Sequence, residues 1–234
     1  MPPESSLPQN LESIRARIAR AAAKSSRKPE DITLVAVSKT FPAEAVRAAF
    51  SLGLRHFGEN RVQEWEEKRA TLSDLDATFH LIGHLQSNKA RRAAYLFHRI
   101  DSVDDLPLAK RLDAAAAAEA KLLPVLLELH LGGEESKSGI SPEDLPRVAE
   151  SIAPFAHLDF VGLMAIPPFS ENPENVRRYF ARLRSLRDDT SRRIARPLPV
   201  LSMGMSHDFE VAIEEGATEI RVGSALFGAR KSPA

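Results

Sequence analysis

The sequence predicts an α/β fold, a (β/α)8 barrel of the TIM type with one extra helix at its N-terminus. Three observations predict it. Eight strand candidates alternate with helical segments along the chain. The first of them, ITLVAVS at 32–38, is an apolar run that does not alternate, as expected of a strand buried on both faces of a parallel sheet. No two of them are joined by hairpin chemistry. An open doubly wound sheet is the competitor, but it usually has fewer strands, and no GxGxxG follows the first strand. The 234 residues suit one domain spanning 1–234, and no segment has the composition of an interdomain linker.

In order, residues 1–10 are expected to form a flexible N-terminus. Leu11, Ile14 and Ile18 then recur at helical spacing, which gives the extra helix over 11–24, and Pro29 closes it. The first strand is 32–38, the apolar run ITLVAVS. Phe41-Pro42 ends it and a helix follows over 43–52, stopped by Gly53. A short strand at 54–57 leads into a helix over 58–72. The third strand is 78–82, followed by a helix at 89–97, and the fourth is 98–101. An alanine-rich helix spans 103–120, where the run 114–118 expresses helix propensity. The fifth strand is 124–131. After GGEESKSGI, Ser141-Pro142-Glu143 starts a helix with a good N-cap residue and proline at the first position. The sixth strand is 158–164, and an arginine-rich helix spans 173–194. The seventh is 199–202, with a short helix from Ser206 to Gly216. The eighth is 219–222, followed by GSALFGAR.

Composition excludes several function classes. Lys plus Arg and Asp plus Glu both total 32, so no net charge argues for a nucleic-acid or anionic-membrane partner. There is no cysteine, which removes disulfides, thiolate catalysis and zinc–thiolate sites and fits a cytoplasmic protein. MPPESSLPQN has neither the basic nor the apolar region of a signal peptide, and no apolar run approaches the roughly 20 residues that span a bilayer.

A barrel gathers the carboxyl ends of its strands on one face, where ligands bind. That face collects Lys39, Glu59 and Asn60, Gly83 and His84, Met164, residues 203–207, and Arg221, Gly223 and Ser224, with the fifth strand leading to Lys137. Lys39 ends the buried first strand. It is either a strand-end lysine reaching for water or an amine whose charge is disfavoured and which can attack a carbonyl. Gly223-Ser224 can offer backbone N–H groups to an anion, and Ser206 can add a hydroxyl or merely cap its helix. His80 and His84 are spaced like a metal pair, but no third ligand is near in sequence. The arginines of 177–193 are interleaved with acids and read as a solvated face. Trp65 reads as packing.

The segments LVAVSKT, FGENRVQE, FHLIGHLQSNK, IDSVD, EESKSG, GLMAI and LSMGMSHDFEVAIEEGATEIRVGSALFG resemble, in order and spacing, the pyridoxal phosphate homeostasis protein family, over nearly all of 39–228. The resemblance implies a single barrel similar to the barrel domain of alanine racemase and other fold-type III pyridoxal phosphate enzymes. It implies pyridoxal 5′-phosphate (PLP) held as a Schiff base without established turnover, and a part in vitamin B6 and amino-acid homeostasis. Carried across by motif, the Schiff-base lysine is Lys39. Ser206, Gly223 and Ser224, with Ser202, hold the phosphate. Arg221 faces the pyridine nitrogen and Asn60 lies near the ring. PLP-dependent apo-enzymes are the implied protein partners, and a monomer is expected. Two positions depart from the family pattern: Arg61 stands where a tyrosine is common and His130 where an asparagine is. A PLP-dependent amino-acid racemase is the alternative. It needs a base on each face of the substrate carbon; the only tyrosines, Tyr95 and Tyr179, are expected in outer helices, and no second domain is expected after the eighth strand.

Overall fold

The structure, a computed structural model, describes residues 6–132 and 138–228. Eight parallel strands close into a barrel in sequence order: β1 (Thr33–Val37), β2 (His56–Glu59), β3 (Thr78–Leu81), β4 (Arg99–Val103), β5 (Leu123–Leu129), β6 (Leu158–Ala165), β7 (Val200–Ser202) and β8 (Glu219–Val222). The helices outside it are α1 (Ser6–Lys24), α2 (Ala43–Ser51), α3 (Val62–Arg69), α4 (Ala90–Leu96), α5 (Leu106–Ala118), α6 (Leu145–Ile152), α7 (Arg177–Arg193), α8 (Phe209–Glu214) and α9 (Ser224–Phe227). The expected fold is the observed one. Among the described residues no helix is long and apolar enough to cross a membrane.

Side chains alternate along each strand, so the barrel has two apolar compartments. Ala36, Phe57, Phe79, Leu81, Leu127, Leu163, Leu201 and Val222 face outward and pack with the helices in one continuous core. Val35, Val37, Ile82, Leu126 and Met164 are equally buried but stand apart from that core, inside the barrel. Trp65 belongs to the outer core. Its ring lies 3.9 Å from that of Phe79 and its indole N–H donates to Leu96 O at 3.0 Å, so it is packing as expected.

The extra helix begins earlier than the sequence suggests. Residues 6–10, expected to be loose, are helical in α1, whereas residues 1–5 lie outside the described residues. Leu11, Ile14 and Ile18 are buried. Asn10 donates to Leu226 O at 2.9 Å and Arg17 pairs with Glu210 at 2.8 Å, so α1 closes over the last unit of the barrel.

Two strands lie further along the chain than expected. β2 starts at His56 rather than residue 54, and Gly58-Glu59 extend it instead of opening a helix. Pairing decides this, because His56 is in register with both Val35 and Thr78. Similarly, β4 continues to Val103, and α5 starts only at Leu106, where Asp105 caps it by accepting from Leu108 N at 2.6 Å. The helix expected from Ser141 begins at Leu145, after a turn in which Ser141 Oγ accepts from Asp144 N at 3.0 Å.

Candidate functional site

β1 and β8 are adjacent and in register, with Val35 opposite Arg221 and Ala36 opposite Val222. By alternation Val35 and Val37 face the barrel axis, and Lys39 is the next inward position, just past the strand end. On β8 the inward positions are Glu219, Arg221 and then Gly223. A Cβ at Gly223 would lie 3.3 Å from Val37 Cβ and 3.4 Å from Val37 O. Lys39, Gly223 and Arg221 therefore line one stretch of the inner rim, at the carboxyl ends of the strands.

The loops after β7 and β8 are tied together. Gly204 has φ +92°, and a Cβ there would sit 2.6 Å from Ala212 Cβ, so glycine is required on both counts. Its carbonyl accepts from Arg221 N at 3.0 Å. Ser206 is not the cap of the following helix, as its sequence position suggested. Asp208 holds that turn by accepting from Met205 N at 2.6 Å, and α8 starts at Phe209. The Ser206 hydroxyl instead accepts from Ala225 N, in the first turn of α9, at 3.2 Å. Ser206, Gly223 and Ser224 are thereby brought side by side, with Ser224 exposed.

Arg221 is 3% exposed and reaches along the wall to the ends of β7 and β6. It donates to Ser202 Oγ at 2.6 Å and to Ala165 O at 3.0 Å. Two acids on the strands are engaged elsewhere: Glu219 pairs with Arg99, and Glu59 with Lys68. Burial pulls Arg221 below the ordinary guanidinium value, against the fields of Glu219, Asp101, Glu128 and Asp208, and as an arginine it remains a cation.

Glu128, an inward residue of β5, is only 8% exposed. Burial pushes its carboxyl up to about 7, with Asp104 adding to the rise and Arg221 and His84 opposing it. Asp104 reaches this face because the β4–β5 register shifts between Ile100 and Val103. It pairs with His84 at 2.9 Å. The ionised form of Glu128 is thus disfavoured in the folded state. The stability this group supplies is fully present below its unfolded value, near 4.5, and is lost as pH rises to about 7. Glu128→Gln should remove that loss. Relative to wild type at pH 5, the variant should gain up to about 3 kcal/mol at pH 8. Denaturant melts of cofactor-free protein at the two pH values check this, and a constant difference would refute it.

Beneath the apolar layer lies a second polar one. His56 Nδ1 and His80 Nε2 are 3.0 Å apart, His80 Nδ1 is 3.4 Å from Asp101 Oδ2, and Arg99 bonds both Asp101 and Glu219. Burial opposes the ionisation of Asp101, but Arg99 and His80 hold its carboxyl well below the usual carboxylate range. His80 and His84 do not form the spaced pair that the sequence suggested. His80 is in this buried layer, whereas His84 is at the mouth with Asp104. His80, Asp101 and Glu219 do place ligand-type atoms within 4.8 Å of one another, but Arg99 already supplies the cation there.

The remaining sequence candidates divide. Asn60 directly follows β2 and borders a cavity of about 410 Å³ lined also by Arg61, Gln63, His84, Gln86 and Lys89. Glu59, grouped with Asn60 at the strand ends, faces away from the axis. Its carboxylate lies under α3, 3.0 Å from Lys68 Nζ. Met203 belongs to the outer core, and His207 is exposed, near Glu171 O at 2.9 Å. His130, on the inward side past β5, is partly buried, with its N–H donating to Ile140 O at 3.0 Å. Lys137 lies outside the described residues. Sequence reasoning missed Glu128, Asp104 and Asp208. A glutamate inside the apolar run PVLLELHL was the available signal for the first.

Comparison with known proteins agrees with this fold. The family model "Alanine racemase, N-terminal domain" matches residues 9–231. A pyridoxal phosphate homeostasis protein of Pseudomonas aeruginosa is 47% identical over 226 residues, covering 97% of this chain and 96% of that one. The structure of PipY from Synechococcus elongatus with PLP bound is 41% identical and covers 90% of this chain and 100% of that one, with a TM-score of 0.82. An alanine racemase of Clostridium difficile shares the fold, with a TM-score of 0.74 at 14% identity, covering 97% of this chain and 58% of that one.

Proposed function

Because the chain belongs to the pyridoxal phosphate homeostasis protein family, we propose that it binds PLP at the barrel mouth, with Lys39 as the covalent anchor. The observation that carries this reading is the shared rim: Lys39 one inward step past Val37, and Gly223 with room for a ligand where a Cβ would press on Val37 at 3.3 Å. The residues fit the group. Ser206, Gly223 and Ser224 would hold the phosphate, with Ser202 orienting Arg221 beneath it, since its hydroxyl accepts from the Arg221 guanidinium at 2.6 Å. Arg221, which offers only donors, would face the pyridine nitrogen, and Asn60 would flank the ring. When bound, PLP supplies an aldehyde that a lysine amine can take as a Schiff base.

The reading extends to a protein that stores or passes on PLP without turnover, a cytoplasmic monomer whose receivers are PLP-dependent apo-enzymes. Support comes from what the rim lacks. Neither tyrosine is near it: Tyr95 is on α4 beneath Arg69 and Arg92, and Tyr179 is on α7 beside Arg178. Neither can serve as the second base of a racemase. Arg221 in place of a carboxylate also leaves the ring a weak electron sink. Borohydride reduction of the purified protein incubated with PLP, followed by peptide mapping, should label Lys39. Incubation with L- or D-alanine should give no racemisation at ordinary enzymatic rates, on the order of 1 to 1000 per second. A label on another lysine, or turnover at such rates, would overturn the reading.

The phosphate grip gives a separate expectation. Bulk at position 223 meets Val37 and fills the rim, whereas the backbone donors survive loss of the exposed Ser224 hydroxyl. Gly223→Val should weaken PLP binding by about 10- to 100-fold, and Ser224→Ala by about threefold. Equal affinity of the wild type for PLP and unphosphorylated pyridoxal would refute the grip.

A further inference from the structure

We propose that Lys68, together with Glu59 and Glu64, is a positioning group for Lys39: an ion-pair clamp outside the barrel that fixes the backbone on both sides of that residue. The proposal rests on Lys39 being the PLP anchor. Glu59 and Lys68 lie outside the barrel wall. Glu59 faces outward from β2 and is fully buried, and Lys68 lies over it on α3 with 12% of its side chain exposed.

Lys68 Nζ donates to Glu59 Oε1 at 3.0 Å, to Glu64 Oε1 at 2.8 Å and to the carbonyl of Ser38 at 3.1 Å. Ser38 Oγ donates to Glu59 Oε1 at 2.7 Å, and its N–H donates to Gly58 O at 3.0 Å. The peptide before Lys39 is therefore held at its oxygen and through its side chain. On the other side, Thr40 N donates to Glu64 Oε1, the same oxygen that Lys68 contacts. One ammonium thus connects the two peptide units that flank Lys39.

Thr40 needs such a hold. Its φ is +67°, a region that β-branched residues rarely occupy. That conformation turns the chain sharply, so that Phe41 N returns to Ser38 O at 3.1 Å. Without the Glu64 acceptor, the strain favours a relaxed Thr40, and relaxation there would rotate the Lys39 Cα–Cβ direction away from the axis. Burial pushes the Glu59 carboxyl up, and the Lys68 charge and Ser38 hydroxyl draw it back toward the ionised form that the clamp uses.

A positioning role and a merely structural one differ in what they do to two ligands. PLP can bond covalently to Lys39, whereas pyridoxamine 5′-phosphate uses the same phosphate and ring contacts but has no aldehyde. The test uses the double variant Glu59→Gln/Lys68→Met, which removes both buried charges together and avoids a lone carboxylate. Glu64→Ala, at a partly exposed position, releases the Thr40 amide alone. In each variant PLP affinity and the fraction of Lys39 labelled by borohydride should fall, about tenfold in the double variant and about threefold in Glu64→Ala. Affinity for pyridoxamine 5′-phosphate should stay within about twofold. Parallel losses for both ligands, or no loss for either, would overturn the clamp. Wild-type protein labelled at a lysine other than Lys39 would overturn the PLP reading itself, and the clamp with it.

Discussion

Lys39→Ala should abolish the visible absorption of the purified protein and leave no borohydride-stable label on any peptide. The side chain extends from the first inward position beyond β1, and the strand beneath it is fixed by its pairing with β2 and β8. Removing the amine removes the only covalent link while leaving Arg221, Ser206 and Gly223 where they are. PLP should therefore still bind, but only by phosphate and ring contacts, with affinity lower by on the order of 100-fold, about 2.7 kcal/mol. The free aldehyde should then absorb at shorter wavelength. Lys39 is partly exposed at the rim, so the melting temperature of cofactor-free protein should move by only a few degrees. Titration with PLP, read by absorbance and by calorimetry, checks both halves. An unchanged visible band, or a reduced adduct mapped to Lys137, would refute the anchor.

The parts of this site that were legible in the sequence are those where local chemistry and fold agree. A lysine closing a β-branched apolar run reads as a strand-end lysine whatever lies beside it. GS after IRV likewise reads as a strand ending in a turn of close approach, and Gly223 does approach Val37. What was not legible depended on register. Glu59 and Asn60 are adjacent in sequence, yet alternation sends Glu59 outward to Lys68. β2 is also too short for its periodicity to reveal its phase. The phase became fixed only by pairing with Val35 and Thr78. Asp104 was hidden in the same way, because an irregularity in β4 turns it toward the mouth after the regular part of the strand has ended. Ser206 was misread for another reason. A serine before FEVAI is a good cap in isolation, but α8 starts at Phe209 without a side-chain cap, Asp208 accepts from Met205 N in the turn before it, and the Ser206 hydroxyl goes to α9. Where the Ser206 hydroxyl goes is settled by the loop's three-dimensional path, in which Gly204 takes a φ of +92°.

Arg221→Gln should be the most destabilising change at the site, and its cost should depend on pH. Among the charges, Arg221 exerts the largest stabilising field on the carboxylates of Glu128 and Asp208, whereas Asp101 and Glu219 also have Arg99. Removing one partner from a buried charged network costs about 3–5 kcal/mol, because the remaining charge is left uncompensated. Glutamine can still donate one hydrogen bond toward Ser202 or Ala165, but it brings no charge. The Glu128 carboxyl, already near 7 with Arg221 beside it, should then climb further. At pH 8 the variant must either hold an unpaired carboxylate or take up a proton, so the full cost appears there. At pH 5 Glu128 is protonated in both proteins and much of the difference should vanish. Equal destabilisation at the two pH values would show that Arg221 acts through its two hydrogen bonds alone. The cofactor supplies a second test of the same residue. A permanent donor next to the pyridine nitrogen favours the unprotonated ring, so nitrogen-15 NMR of labelled PLP on the wild type should report a neutral nitrogen near pH 7. A protonated nitrogen there would rule out Arg221 as its partner, since two donors cannot share a hydrogen bond.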